Sequence, residues 1–241
     1  MQPFPDPSYL LEHLELSYPL IGIYDASPDT PFPGIVEPPE HQRQCIFAHF
    51  DDWVHGQTLK LTADRFGCGG CGRAWFGVQT RSRDEFLNFL THTEGLKDDK
   101  GKMADWVDSM PDYRPEHGAL FMGLLYREYY AYLKSVLFFV NPDQLSILAA
   151  GVQYHAGIED PPPLIASFGS GCMQSLVVFK DLSLPQAAIG ATDLAMRQYF
   201  PPDILVVTAT VSMYERLCRL DSQSFLGKGF LKSLKKARHG F

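Results

Sequence analysis

The sequence has no long, uninterrupted apolar run. Its most apolar stretch, residues 119–140, is broken by Arg127, Glu128 and Lys134, whereas a helix that spans a bilayer needs about 20 predominantly apolar residues. The first six residues also lack the basic start and the apolar segment of a secretory signal. We therefore expect no membrane-spanning segment and a cytoplasmic location.

Positive charge is scarce as well. The chain has 21 lysines and arginines against 28 aspartates and glutamates, a formal net charge of −7, and no internal block of basic residues. Nucleic-acid binding rewards a basic face, so we expect no nucleic-acid partner. The basic residues that do cluster, within 222–241, alternate with apolar ones and predict a basic amphipathic helix whose apolar stripe packs on the domain.

Motifs of several common enzyme classes are missing. The glycine–serine turn at 169–171 is not part of a G-x-G-x-x-G fingerprint and carries no P-loop lysine. No serine–histidine–aspartate or paired-carboxylate signature stands out in the chain. A fixed repeat and a low-complexity tract are also absent from the sequence, so a solenoid or a disordered region is not expected. The sequence therefore gives no basis for hydrolysis by those routes and identifies no substrate.

Cysteine is rare, with five residues in 241. An odd number without an even framework, in a protein expected in a reducing compartment, argues against disulfides. The thiols are then free, metal-binding, or buried as small apolar groups. Cys218, on an apolar helical stretch, is expected to belong to the last class.

The length of the chain and its hydrophobic content, 45% of the residues, predict one domain over residues 1–241 with a sizeable core. Residues 8–15 predict a helix and 18–24 a strand, while five prolines within 28–39 predict a surface loop. Later, short apolar runs alternate with helical segments; these runs are 135–140, 164–168, 187–191 and 204–209. We predict an α/β or α+β fold with a mixed sheet flanked by helices.

A glycine-rich segment, residues 67–72, holds Cys68 and Cys71 three positions apart. Glycines allow backbone N–H groups to approach sulfur, as a metal knuckle or a redox turn requires. With Cys45 and His49, which share a face of a predicted helix, the pattern reads C-x3-H-x18-C-x2-C and suits a closed, structural Zn²⁺ site. His55 could replace His49. In the alternative, the helical cysteine is a buried apolar thiol and the histidine a surface imidazole.

A second segment, Gly169-Ser170-Gly171-Cys172, ends a predicted strand and opens a helix. Unpaired N–H groups and the positive end of the helix dipole favour an anion there. The same field is expected to lower the pKa of the Cys172 thiol and make it a reactive or metal-binding sulfur. The alternative is a plain tight turn whose glycines serve close packing.

Three further residues could bind a ligand. Asn141 and Gln144 begin a predicted helix that follows an apolar strand and runs to about Tyr154, at a place where open α/β sheets bind ligands. The alternative is helix capping, with Asn at the N-cap and Pro at the first helical position. Arg197, on a helix predicted over 193–199, could pair with an anion or with Asp193, one helical turn earlier.

The chain resembles domain-of-unknown-function family 169 over about residues 18–217. The matching features are Cys45, Cys68 ahead of Gly77, the segment 141–144, Gly171-Cys172, and Arg197. The resemblance implies a prokaryotic, cytoplasmic α/β protein with recurrent cysteines at positions like Cys45, Cys68 and Cys172, and no established reaction. Cys71 is additional to that pattern. If the three recurrent cysteines converge, an iron–sulfur cluster becomes possible, with a fourth ligand from Cys71 or a substrate.

Three hypotheses follow for function. In the first, the cysteines hold a metal or iron–sulfur centre beside a small-ligand cleft. In the second, no metal is bound, and Cys172 is a nucleophile toward a small anion, with His155 or His117 as its base. In the third, the cysteines fill the core, and aromatic residues line a pocket for a small molecule; those residues are Phe76, Tyr126 and Phe168. Homo-oligomerisation is left open.

Overall fold

The computed structural model describes residues 4–39, 44–166, 169–190 and 193–239. Eight strands are present in these ranges: β1 (Ile21–Ala26), β2 (Ile35–Val36), β3 (Thr58–Leu61), β4 (Ala119–Leu124), β5 (Leu133–Val140), β6 (Leu164–Ile165), β7 (Ala187–Gly190) and β8 (Leu205–Thr210). They form one sheet in the order β2-β3-β4-β1-β5-β8-β7-β6. Only β2/β3 and β6/β7 pair in parallel; the other neighbours are antiparallel. The predicted mixed sheet flanked by helices is confirmed.

The helices are of three kinds. The α-helices are α1 (Ser8–Leu14), α2 (Phe50–Val54), α3 (Gly69–Cys71), α4 (Arg83–Asn88), α5 (Lys100–Ser109), α6 (Pro142–Tyr154), α7 (Val211–Cys218) and α8 (Gly229–His239). Short 3-10 turns cover Ile46–His49, Arg127–Tyr132, Arg197–Tyr199 and Phe225–Gly227. Wider π-helical turns cover Gly72–Phe76, Phe89–Thr93 and Met173–Val177. Within the described ranges, no helix has both the length and the apolar character needed to span a membrane.

Side chains alternate along the strands and so divide the core in two. On one side, which we call the helix face, α1, α6, α7 and α8 cover strand residues such as Tyr24, Phe121 and Phe138. On the other, which we call the cysteine face, short helical turns cover strand residues such as Ile23 and Phe139. Because the strand period is two, each central strand contributes to both faces.

Some predicted elements differ from the structure. The loop 28–39 contains the edge strand β2, and its Phe32 is buried, with its ring centroid 4.4 Å from that of Phe121. The predicted helix over 193–199 is a turn followed by one 3-10 turn, and the C-terminal helix is split into Phe225–Gly227 and α8. Three predicted segments end outside the described residues. These are the strand runs 164–168 and 187–191, which include positions 167, 168 and 191, and the C-terminal segment 222–241, which includes positions 240 and 241.

Candidate thiolate site

Four of the five cysteines lie on the cysteine face. Cys71 and Cys172 are buried in its core, and Cys45 and Cys68 are partly buried against it. They come from three segments: Cys45 precedes the turn Ile46–His49, Cys68 caps α3 and Cys71 ends it, and Cys172 precedes the π-turn Met173–Val177. The remaining one, Cys218, is partly buried on the helix face, as expected for a core thiol.

Two glycines allow these segments to meet. A Cβ on Gly67 would lie 2.7 Å from Cγ2 of Ile46 and 2.8 Å from the carbonyl oxygen of Gln44. A Cβ on Gly171 would clash with the Met196 side chain and lie 2.8 Å from a ring carbon of Phe47. Any larger residue at either position would push its segment away from the one that follows Cys45.

Cys68 and Cys172 are joined by a hydrogen bond between their sulfurs. The Cys172 thiol donates a hydrogen bond to the Cys68 sulfur, and this is the main reason why the pKa of Cys68 is lowered. The backbone N–H groups of Cys71 and Gly70 donate to the same sulfur, and together these bonds outweigh the opposing effect of burial. Cys68 is therefore the thiolate of the pair at neutral pH.

The predicted low pKa of Cys172 is wrong. Its pKa is raised well above the ordinary value, first because its proton is held in the hydrogen bond to Cys68, and second because the thiol is buried. The hydroxyl of Ser170, 3.2 Å from the Cys172 sulfur, acts in the opposite direction and is outweighed. The sequence placed a helix dipole beside Cys172 but could not show that water is excluded there.

The other two cysteines are protonated neighbours of this pair. Burial raises the pKa of Cys45 to about 12 and that of Cys71 well above its ordinary value. In both cases the negative charge of Cys68 raises the pKa further. The carboxylate of Asp193 also acts on Cys45 and Cys68, in the same direction. The site therefore consists of one thiolate and three thiols in a largely apolar environment.

The predicted zinc shell is not assembled in this arrangement. Four sulfurs around one Zn²⁺, with bonds of about 2.3 Å, would lie about 3.8 Å apart. Among the residues that the structure describes, the only set of three potential ligands with all ligand atoms within 4.8 Å of one another is Asp25, Glu116 and His117. The cysteine sulfurs form no set that tight.

Neither histidine proposed as a zinc ligand joins the cysteines. His49 Nδ1 lies 2.6 Å from a carboxylate oxygen of Asp52, and His55 Nδ1 lies 2.7 Å from the backbone oxygen of Asp51. Both imidazoles are thus held by aspartates of α2, His49 from just before the helix and His55 from just after it. Both histidines therefore form local hydrogen bonds and do not act as ligands beside the cysteines.

The turn before Cys172 has the features of close packing. Gly169 has φ +146°, and a Cβ there would lie 3.1 Å from the Trp106 ring. Gly171 faces Phe47 and Met196, as described above. The carbonyl oxygen of Ser170 accepts from the N–H of Gln174. These contacts correspond to the packing alternative, and anion binding by this turn stays a prediction.

The predicted ligand-binding amides lie at the other face of the sheet. Asn141 and Gln144 form a reciprocal capping box at the start of α6, and the Gln144 amide also donates to the carbonyl oxygens of Leu14 and Glu15. Both line a groove of about 370 Å³ between α1, α6 and α8. The capping alternative accounts for their contacts, and the structure does not bring them to the cysteines.

Arg197 is held by the backbone. Its guanidinium donates to the carbonyl oxygens of Pro202 and Ile204 and lies 4.9 Å from the centroid of the Phe200 ring. These contacts replace the predicted pairing with Asp193, because the 3-10 turn ends at Tyr199 and Phe200 is extended. Pairing of Arg197 with an anion stays a prediction.

The two histidines proposed as bases are engaged elsewhere. His117 lies 3.3 Å from a carboxylate oxygen of Asp25 and packs edge-on against Tyr132, whereas His155 packs against Tyr154. Of the aromatic residues proposed for a pocket, Phe76 contacts the cysteine face and Tyr126 the helix face, and Phe168 lies outside the described residues. Phe76 and Tyr126 therefore lie on opposite faces of the sheet.

A buried carboxylate was missed in the sequence. Asp25 is fully buried on β1 and accepts hydrogen bonds from the hydroxyl of Tyr113 at 2.6 Å and from the backbone N–H groups of Glu116 and His117. Burial and this bond raise the pKa of Tyr113. The available signal was an aspartate within the apolar strand, and its role is to anchor the segment 113–117.

Comparison with known proteins identifies the family. The model of domain-of-unknown-function family 169, described as "Uncharacterised ArCR", matches residues 9–219, which is most of the chain. No curated protein and no solved structure gives a match. The chain belongs to this family, and the predicted resemblance is confirmed.

Proposed function

We propose that this member of family 169 binds an iron–sulfur or other metal centre through Cys68 and Cys172, with Cys45 and Cys71 as further ligands. The observation that supports the proposal most directly is the Cys172-to-Cys68 hydrogen bond, which joins two distant segments around an ionised sulfur. Thiolates are the metal-binding form of cysteine. A cysteine must lose its proton before it binds a metal ion, so a site that already holds one thiolate needs to lose fewer protons when the metal binds.

The raised pKa values of the other thiols fit the same role. Cys45, Cys71 and Cys172 resist ionisation because they are buried and because Cys68 already carries a negative charge. A bound cation reverses this effect, since it stabilises every nearby thiolate. Metal binding would then release protons from these thiols, so affinity should rise with pH.

The spacing favours an iron–sulfur cluster over zinc. The cysteine sulfurs are not gathered within 4.8 Å as a set of three, whereas a single Zn²⁺ needs all its ligands around one point. A [4Fe–4S] cluster binds each of its four cysteines to a separate iron and therefore accepts sulfurs that are farther apart. The N–H groups of Gly70 and Cys71 that donate to Cys68 would also tune the reduction potential of a cluster.

One observation favours a second candidate, metal-free thiol chemistry. Cys68 is only partly buried and is the ionised member of the pair, so Cys68 rather than Cys172 would be the nucleophile. In this case a small electrophilic ligand would approach Cys68, and Cys172 would hold the proton. All five thiols are free, which fits a reducing, cytoplasmic location in either case.

The experiment is purification of the full chain without oxygen, followed by measurement of iron, acid-labile sulfide, zinc and the visible spectrum. Cys68→Ser and Cys172→Ser are compared with the parent, and Cys218→Ser on the helix face is the matched control. We expect iron and sulfide in the parent and in Cys218→Ser, and loss of both in the other two variants.

Absence of metal from the parent, even after reconstitution with iron and sulfide, would contradict the metal proposal. Selective alkylation of Cys68 by iodoacetamide at pH 7 would then support the second candidate. Equal metal content in all four proteins would also contradict the proposal, because the metal would be bound elsewhere.

A further inference from the structure

A small cleft beside the glycine-rich segment has no cysteine among its lining residues. Its lining residues are Gly69, Arg73, Val78, Gln79, Thr80, Arg81 and Phe86. Two of these side chains are positively charged and none is acidic, although the chain as a whole has a net charge of −7. We call it the arginine cleft.

The two arginines are oriented by aromatic rings. The Arg73 guanidinium lies 5.3 Å from the centroid of Phe86, and that of Arg81 lies 4.2 Å from the centroid of Phe89. Stacking occupies the face of a guanidinium and leaves its N–H groups available in the plane. Within the described residues, neither guanidinium has an ion pair or a hydrogen bond to satisfy those groups.

Arg83, two residues away, shows the contrast. Its guanidinium binds both carboxylate oxygens of Asp108, at 2.7 and 2.8 Å. Arg81 is within electrostatic range of Glu85, but that carboxylate accepts from the backbone and hydroxyl of Ser82 in a capping box. Glu94 also lies within electrostatic range of Arg81, and Asp108 within range of Arg73. Neither carboxylate lines the cleft or forms an ion pair with these two arginines among the described residues, so the lining keeps its positive charge.

Gly69 allows Thr80 to lie against the glycine-rich segment. The hydroxyl oxygen of Thr80 lies 2.9 Å from the position that a Cβ on Gly69 would occupy. A side chain there would displace Thr80, so glycine keeps a hydroxyl donor among the lining residues of the cleft. The volume of the cleft is about 10 Å³, which has room for about one water molecule. A larger ligand therefore lies mostly in solvent.

We propose that the arginine cleft binds a phosphate group, through the guanidinium groups of Arg73 and Arg81 and the hydroxyl of Thr80. Arginine forks match the oxygens of phosphate in a planar, bidentate way. A tetrahedral phosphate can also accept a third donor, from Thr80. This site does not depend on the proposed metal centre, since it uses none of the cysteine sulfurs.

The test is calorimetric titration of the full chain with orthophosphate at constant ionic strength. The parent binds saturably, and Arg73→Gln and Arg81→Gln each weaken binding at least about tenfold, as expected for loss of a charge-assisted hydrogen bond. Arg83→Gln is the matched control, because it removes a guanidinium just outside the cleft; it is combined with Asp108→Asn so that no carboxylate is released toward Arg73. This control leaves affinity within about twofold. Cys68→Ser binds phosphate like the parent, which separates this site from the thiolate proposal.

Several results would overturn the inference: no saturable binding by the parent, equal weakening by the control that combines Arg83→Gln with Asp108→Asn, or acetate binding as tightly as phosphate. Because Arg73 is half-buried, thermal unfolding of each variant checks that it is folded. Arg81 is exposed, so Arg81→Gln keeps the test decisive if Arg73→Gln is unstable. A parallel titration with methyl phosphate shows whether free phosphate or a phosphate monoester fits better.

Discussion

The two faces of the sheet are built differently. The helix face is covered by α1, α6, α7 and α8, which satisfy their own backbone groups over 7 to 13 residues. The cysteine face is covered by short α, 3-10 and π turns that carry Cys45, Cys68, Cys71 and Cys172. Regular helices give one face stability through side-chain packing. Irregular turns on the other face aim particular groups at one place, and π-turns are frequent at functional sites.

The largest effect on stability is expected from truncating a core leucine on either face. The comparison tests whether the two faces are packed equally well and differ only in their chemistry. Leu148 on the helix face and Leu176 on the cysteine face are exposed by 1% and 0%. Each change to alanine should lower the free energy of unfolding by about 2–5 kcal/mol, measured by urea denaturation. Only Leu176→Ala should also change the iodoacetamide reactivity of Cys68. Altered reactivity in Leu148→Ala would erase the distinction between the faces.

A smaller effect is expected from Gly171→Ala. The new methyl group meets Met196, which is flexible, and the ring of Phe47, which is not. We expect a loss of about 1–3 kcal/mol from overpacking, together with a displaced Cys172 and a weaker thiolate at Cys68. Gly229→Ala is the control, because a Cβ there meets no atom within 4 Å. A stable Gly171→Ala with unchanged reactivity would show that the segments do not need this glycine.

The charge of Cys68 is tested by Cys172→Ala. In the parent, the lowered pKa of Cys68 means that its thiolate persists as the pH falls below the ordinary cysteine value of about 8.5. The thiolate is lost only when the pH falls through that lowered pKa. Without the Cys172 donor, the midpoint should move upward, as ultraviolet titration of metal-free, reduced protein would show. An unchanged midpoint would mean that the N–H groups of Gly70 and Cys71 are sufficient.

The smallest expected effect is on the helix face. Asn141→Ala removes the N-cap of α6 and should lower the free energy of unfolding by about 1 kcal/mol. The metal content and the titration of Cys68 should be unchanged, since α6 lies across the sheet. Thermal unfolding and the ultraviolet titration provide the measurements. A shift in the Cys68 midpoint would show that the two faces are coupled.

The helices of the helix face were largely predictable because neighbouring residues in the sequence determine where they begin and end. Asn141 followed by Pro142 predicted a helix to about Tyr154, and α6 spans Pro142–Tyr154. The strand runs were also located, but not their antiparallel pairing, because alternating β and α segments do not reveal where each helix returns the chain.

The helix predicted over 193–199 is reduced to a turn and one 3-10 turn. Pro201 and Pro202 follow Phe200, and a proline disfavours helical geometry in the residue before it. The Arg197 guanidinium binds the carbonyl oxygen of Pro202, so the contacts that replace the helix are local ones.

The cysteine face was predictable only in part. The sequence identified Cys45, Cys68, Cys71 and Cys172 as candidates, and the structure places all four on one face. Which of them is ionised could not be predicted, because that depends on burial and on the Cys68–Cys172 hydrogen bond. Spacing alone also misassigned His49, whose nearest partner is Asp52.

One contact gives the site an optical reporter. The indole nitrogen of the buried Trp75 donates to the backbone oxygen of Cys172 at 3.0 Å. Sulfur anions and iron both quench indole emission at short range. Ionisation, oxidation or loading of these cysteines should therefore change the protein's own fluorescence, so the state of the site can be followed in real time without a label.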